Sequence, residues 1–403
     1  MKKNYSNWIC CQIGAREHYA IPRALNEQEK LAYLITDAWV SPSSPFTIFP
    51  ITGFRERFHP DLAQVKVYSF NSSLIAFEAT QKVKNNFGWE RIIARNHWFQ
   101  KQAINKLVKL NSKLTNSPIL FSYSYAALEL FRFAKKQGWY TVLGQIDPGL
   151  WEEKVVIQEH EKYPQYAKKW QTAPLEYWQI WEEECKLADA IVVNSHWSRQ
   201  LLEKSGVSPN KLQVVPLVYT PPEKAKNFIR TYPTSYNQER PLRVLFLGQV
   251  ILRKGIASVL ESIKLLEGLP IEFWIVGSQQ IEITSYFQSH TQVRWVGHVN
   301  RSEAAKYYQL ADIFLFPTLS DGFGITQLEA QTWQLPIIAS RNCGEVVVDG
   351  VNGWILPEVS GEAIANLLRI CLDHPEKLTV LSKNSQITNK FTLATLAEHL
   401  LNL

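Results

Sequence analysis

The sequence predicts an α/β protein made of two doubly wound, Rossmann-like domains whose parallel sheets face one another across a cleft. Three observations lead there. Short apolar runs alternate with amphipathic stretches along the chain, as repeated βαβ units require. That alternation is broken once, by a polar stretch bearing Pro221, Pro222 and Pro233. The length of 403 residues leaves room for roughly two to three ordinary domains.

In the first half the strand candidates are Trp8–Ile13, Ala32–Thr36, Val65–Phe70, Ile119–Ser122, Tyr140–Ile146, Ala190–Asn194 and Leu212–Val215. In the second they are Arg243–Gly248, Glu272–Gly277, Val293–Val296, Ile313–Phe316, Ile337–Ala339 and Trp354–Leu356. Helical patterns are expected over Ile256–Leu266 and Gly324–Trp333. The expected division is a first domain over 1–220, a linker over 221–241, a second domain over 242–387 and a last helix over 388–403. Facing domains of this class hold ligands at the carboxyl ends of their strands.

Composition narrows the class. With 46% hydrophobic and 20% charged residues, the chain reads as a soluble globular protein. No run approaches the ~18 apolar residues of a membrane helix. Met1-Lys2-Lys3 imitates a signal peptide, but the apolar run Trp8–Cys11 stops at Gln12 and meets Arg16 and Glu17. A cytoplasmic protein is expected. The five cysteines include adjacent Cys10 and Cys11 but no Cys-x-x-Cys, which fits reduced, buried thiols. Neither Asp-x-Asp nor His-x-x-x-His occurs, so no dedicated metal site is expected.

The most informative segment is Ser320-Asp321-Gly322-Phe323-Gly324-Ile325-Thr326-Gln327-Leu328-Glu329-Ala330, which follows the run Ile313–Phe316 and Pro317. Its glycines allow a tight turn and close approach to a ligand. The helix that begins there offers unpaired N–H groups to a phosphate. Asp321 and Glu329 then suit the two sides of a nucleotide sugar, the sugar hydroxyls and a ribose. An acidic turn before a helix is the plain alternative. A second segment, Gly248-Gln249-Val250-Ile251-Leu252-Arg253-Lys254-Gly255, sets two cations just before a helix. Arg can bond a diphosphate bidentately and Lys adds a point charge; a solvated basic turn is the alternative. Gly-x-x-x-x-Gly-Lys-Ser/Thr is absent, so this is not a P-loop.

Gly248-x-x-x-x-x-Lys254-Gly255, Asp321-Gly-Phe-Gly-x-x-x-x-Glu329-Ala and Gly344…Gly350-x-x-Gly353, in that order, resemble the retaining GT-B-fold glycosyltransferases of family 4. Ala188-Asp189-Ala190 to Ser195, followed by Val214-Val215-Pro216, resembles the same family's N-terminal domain. The resemblance implies that Arg253 and Lys254 hold the donor diphosphate, with Gly248 and Gly14 close to it. It implies that Glu329 bonds the ribose, that the Gly322, Phe323, Gly324 and Ile325 backbone meets sugar and phosphates, and that Val293–Val299, ending at Val299, lines the base. Asp321 stands where many members carry Glu, and Gln249 where many carry Arg.

In the first half the family places a loop after the first strand in the cleft, which makes Arg16, Glu17 and His18 acceptor contacts at the start of a helix. A surface helix start is the alternative. Where many relatives carry a His facing the reacting sugar, this chain offers Gln145 and Asp147, with Asp147 preferred because Pro148-Gly149 would turn it outward; a structural turn in which Asp147 satisfies nearby backbone N–H groups is the alternative. Ser195 reads most simply as a helix N-cap. From Gln81 to Lys113 there are eight basic residues (Lys82, Lys84, Arg91, Arg95, Lys101, Lys106, Lys109, Lys113) against Glu90 alone. This region suits either the inner face of an anionic membrane or an ordinary helix with its lysines in water; no nucleic-acid motif accompanies it.

The expected activity is transfer of a sugar from a UDP- or GDP-linked donor to a saccharide or lipid-linked acceptor, with retention and without a cofactor, in polysaccharide or glycolipid biosynthesis. Rivals are a GT-B-fold epimerase or phosphorylase and a non-catalytic carbohydrate- or membrane-binding relative.

Overall fold

The computed structural model describes residues 7–48, 56–168 and 170–403; Met1-Lys2-Lys3 lies outside them. The first sheet contains β1 (Trp8–Gln12), β2 (Leu31–Thr36), β3 (Val67–Ser69), β4 (Ile119–Tyr123), β5 (Tyr140–Gly144), β6 (Ala190–Val193) and β7 (Leu212–Val214). The second contains β8 (Leu242–Leu247), β9 (Ile271–Val276), β10 (Val293–Gly297), β11 (Ile313–Phe316), β12 (Ile337–Ala339) and β13 (Gly353–Ile355). All thirteen expected strands form, with bounds within two residues of those read from the sequence. Their orders are β3-β2-β1-β4-β5-β6-β7 and β10-β9-β8-β11-β12-β13, and every pairing is parallel. This is the GT-B arrangement of two Rossmann-like domains.

Helices cover both faces of each sheet, so the central strands are buried throughout and read as unbroken apolar runs. In each sheet the strand order reverses once, between β1 and β4 and between β8 and β11. Crevices open at the carboxyl ends of the strands at such points.

The chain passes between the domains twice, and the passes touch: the Tyr219 N–H donates to the Phe391 carbonyl at 3.1 Å. The last helix, Leu393–Leu401, returns to the first domain, where Leu396, Ala397 and Leu400 join the core around Trp8, Ile21 and Leu25. The 221–241 stretch lies along the second domain, with Ala225 and Tyr236 in its cores. Arg230 anchors it. Its guanidinium is buried and donates to the carbonyls of Tyr308 (2.6 Å), Ala311 and Trp333 (2.8 Å). Those carbonyls close helices Arg301–Leu310 and Thr326–Thr332, where a cation is favoured by the helix dipole.

A third bridge comes from helix Leu150–Lys162 of the first domain. It ends at Tyr163, which with Tyr166 is buried in the second domain's core and whose hydroxyl donates to Glu261 at 2.8 Å.

All five cysteines are buried and unpaired. No helix among the described residues is long and apolar enough to cross a membrane. The basic region forms helices Asn71–Val83 and Gly88–Asn111. Leu107 and Leu110 face the core as their spacing requires. Two of its arginines are engaged within the protein, Arg91 with Glu78 at 2.5 Å and Arg95 with Asp37 at 2.7 Å.

Candidate active site

A cavity of about 400 Å³ opens between the domains at the carboxyl ends of β8 and β11. Arg253 and Lys254 enter it from one loop and Asp321 from the other, as the two motifs require. Gly248, Gln249, Phe323, Gly324 and Ile325 complete that side, and Arg16 and Glu17 reach in from the first domain.

Each cation already has a carboxylate partner. The Lys254 ammonium contacts Asp321 in a pair whose side chains are 15% and 16% exposed. Burial alone would raise the Asp321 pKa. Lys254, Arg253 and the Phe323 N–H outweigh it and hold the carboxyl below its ordinary range. Arg253 donates to the Ser320 carbonyl at 2.7 Å and lies 3.4 Å from Glu152 of the first domain. Burial pushes Glu152 up to about 7, with Asp147 and Asp321 adding to the rise and Arg253 and Ser320 opposing it. Glu152 accepts from the Ser320 hydroxyl at 2.8 Å, and the Trp197 indole donates to the same hydroxyl at 3.0 Å. Glu152 was not visible as a site residue in the sequence, since it lies 101 positions from the arginine it meets.

The Asp321 loop is pinned to the first domain at Gly322. A Cβ there would stand 2.6 Å from the Ile146 carbonyl oxygen, so the missing side chain admits the opposite domain's backbone. Gly14 has a comparable reason. It does not line the cavity; its φ is +83° and a Cβ would meet the Arg57 guanidinium at 2.6 Å.

Residues 16–19 do not start a regular helix. Glu17, His18 and Tyr19 adopt left-handed φ values of 52°, 51° and 59° before helix Ala20–Glu27 begins. Three such non-glycine residues in succession are strained, and packing holds them: Tyr19 is fully buried, its ring edge-on to Trp39. The turn aims Glu17 into the cavity, where burial pushes it up to about 7 against the pull of Arg16 and Tyr123. His18 instead turns to Arg301 of the second domain. Burial first, then Arg301, His59 and Arg23, lower it to about 4.

Glu329 lies off this cavity, accepting from the Tyr308 hydroxyl at 2.9 Å with Arg301 at 3.7 Å. Val299 packs against the second domain's core. Asp147 accepts from the Tyr125 hydroxyl (2.6 Å), Gln145 (3.1 Å) and the Gly149 N–H (2.9 Å). Gln145 is buried, its amide oxygen taken by the Trp181 indole at 3.0 Å. Ser195 accepts from the Ser198 N–H and so caps helix His196–Lys204. Of the residues singled out in the sequence, Arg253, Lys254 and Asp321 come together in the lining of this cavity, and Glu329 and Asp147 do not line it.

With this geometry in hand, residues 230–388 match the family described as "Glycosyl transferases group 1". The match covers most of the second domain and the stretch that leads into it. The amylovoran biosynthesis glycosyltransferase AmsK of Erwinia amylovora is 29% identical over 144 residues, 32% of this chain and 35% of that protein. The chain spans about a third to a half of the length of such curated relatives. Among solved structures, sucrose-phosphate synthase from Thermosynechococcus elongatus superposes with TM-score 0.68 at 15% identity, and Anabaena Alr3699/HepE in complex with UDP with TM-score 0.60 at 12% identity. Each comparison covers 98% of both chains. At these identities the likeness shows the shared fold.

Proposed function

We propose that the protein transfers a glycosyl unit from a nucleoside-diphosphate sugar to a hydroxyl of a saccharide or lipid-linked acceptor, with retention of anomeric configuration. The observation that carries this is the meeting of Arg253, Lys254 and Asp321 in one cavity at the β8/β11 reversal. Two half-buried cations facing that cavity suit a leaving diphosphate. Asp321 then meets the transferring sugar, and Glu329 with Arg301 takes the ribose end. The anomeric carbon–oxygen bond to phosphate breaks as the acceptor oxygen bonds the same face, and the acceptor proton passes to the departing phosphate oxygen. Arg253 and Lys254 neutralise the charge that this phosphate gains. No cofactor is required.

The UDP in Alr3699/HepE and the polysaccharide role of AmsK support a UDP-linked donor and a saccharide product. Membrane contact, if the acceptor is lipid-linked, falls at the corner where Val83 and Phe87 stand 85% and 72% exposed beside Lys82 and Lys84; sedimentation with anionic vesicles tests it, and Phe87→Ser should reduce it. The deciding experiment incubates the protein with a panel of UDP- and GDP-sugars and follows donor hydrolysis. Slow hydrolysis of one donor supports the transferase. No hydrolysis of any donor refutes it in favour of a binding protein.

A further inference from the structure

Three carboxylates, Glu152, Asp321 and Asp147, act on Arg253, and the second cation of the group, Lys254, contacts Asp321. Arg16 and Glu17 add one charge of each sign to the cavity lining. The site is therefore rich in acid before any ligand arrives. A diphosphate brings at least two further negative charges, and carboxylates so close to it cannot all stay ionised. One of them must take a proton, and the three are not equally placed to do so. Asp147 accepts from the Tyr125 hydroxyl, the Gln145 amide and the Gly149 N–H. Asp321 has Lys254 and the Phe323 N–H. Glu152 accepts from the Ser320 hydroxyl at 2.8 Å and meets Arg253 only at 3.4 Å. It gives up least by taking a proton once Arg253 turns to a phosphate.

We propose that Glu152 is a positioning residue of the donor site that works by exchange: it holds Arg253 from the opposite domain in the free protein, and takes up one proton from solvent when a diphosphate claims that arginine. The inference rests on the transferase reading above and adds the proton traffic of its donor site. One O–H bond forms at the Glu152 carboxylate, and the Arg253 N–H passes from that carboxylate to a phosphate oxygen. No bond of the donor is broken. A protonated Glu152 still accepts from Ser320, so the loop that carries Asp321 keeps its link to the first domain. The charged groups that face Glu152 are Arg253 and Asp321 from the second domain and Asp147 from the turn before its own helix. Its neighbour Glu153 is engaged elsewhere, with the Ala173 N–H and the Trp178 indole. Burial pushes Glu152 up to about 7 while Arg253 still opposes the rise, and losing Arg253 to a phosphate raises it further. Below about pH 7 the acid already holds its proton and a diphosphate enters without uptake. Above it each binding event draws a proton, so affinity falls as pH rises, by at most about tenfold per pH unit.

The test titrates the full chain with UDP and with GDP by calorimetry at pH 8, in two buffers of unlike ionisation enthalpy. The terminal phosphate has by then lost its own proton. For the nucleotide that binds, uptake of roughly half to one proton per site is expected, with affinity falling between pH 7 and 9. Glu152→Gln keeps the shape and an acceptor for Ser320 but carries no charge. It should remove the uptake, flatten the profile and bind the nucleotide about tenfold more tightly than the wild type at pH 8. Glu152→Asp keeps a titrating carboxyl and should keep the slope. Glu17→Gln removes the other acid of the cavity held to about 7 and should leave the uptake in place. A merely structural Glu152 would instead weaken the nucleotide equally at every pH when changed to Gln. That result overturns the inference, as does uptake that is missing from the wild type, survives Glu152→Gln or vanishes with Glu17→Gln; in each case the donor reading stands. If neither nucleotide binds at any pH, the donor reading fails and the inference with it.

Discussion

Replacing Asp321 with Asn should tighten UDP binding while it slows turnover. In the free protein Lys254 contacts Asp321, and both side chains are about five-sixths buried. A diphosphate must take Lys254 from that carboxylate and then sit beside its negative charge. A charge-assisted bond contributes roughly 1.5–3 kcal/mol. The amide keeps the shape and part of the hydrogen bonding, so about 1–2 kcal/mol should return as binding energy. At 1.36 kcal/mol per decade that is a UDP affinity about 5- to 30-fold higher. With a sugar nucleotide, kcat should fall, because the carboxylate that meets the transferring sugar has lost its charge. Titration calorimetry with UDP and steady-state kinetics with the donor read the two effects separately. Lys254→Ala should weaken UDP by about tenfold or more, and in that background the gain from Asp321→Asn should shrink, since the pair is already broken. Weaker UDP binding by Asp321→Asn, or normal kcat, would refute this placement of the carboxylate.

Arg230→Met should cost about 3–5 kcal/mol, measured by urea denaturation, because it uncaps two helices in a buried setting; a loss below about 1 kcal/mol would show that water replaces the guanidinium. Glu17 holds its proton to about 7 in the fold against an ordinary 4.5, so the folded state binds more protons across that interval and stability falls as pH rises through it. Glu17→Gln should therefore flatten the decline of Tm between pH 5 and 8, and an unchanged slope would show the carboxyl to be well hydrated. Glu329→Gln should mainly raise the donor KM, since a ribose contact serves ground and transition states alike; a fall in kcat at constant KM would place Glu329 at the reacting sugar.

The strands were legible because a parallel sheet covered on both faces leaves apolar runs, and Ile313–Phe316 and Ile337–Ala339 appear as read. Arg253, Lys254 and Asp321 were legible for a related reason. They follow β8 and β11, and strands that meet at a reversal bring their following loops together. What stayed hidden depends on contacts between residues far apart in the chain. Glu152 looks like any acid in the first turn of a helix until Arg253 arrives from the opposite domain. Arg230 sits in a polar, proline-bearing stretch that reads as a loose tether, yet its charge finishes two helices. The left-handed turn at 17–19 carries no glycine or asparagine to announce it; it is held by contacts made in the fold, the burial of Tyr19 and the meeting of His18 with Arg301.

The hydrogen bond between Tyr219 and Phe391 ties together the places where the polypeptide threads from one lobe to the other. A body attached by one thread can swing and spin in every direction; one attached by two adjacent threads keeps mainly a rocking motion about them. Tyr163 and Tyr166, set in the second domain's core at the end of the helix that carries Glu152, limit that rocking further. Cutting the chain near residue 220 would leave the lobes joined through the second strand, and the Leu393–Leu401 helix would hold its place on the first.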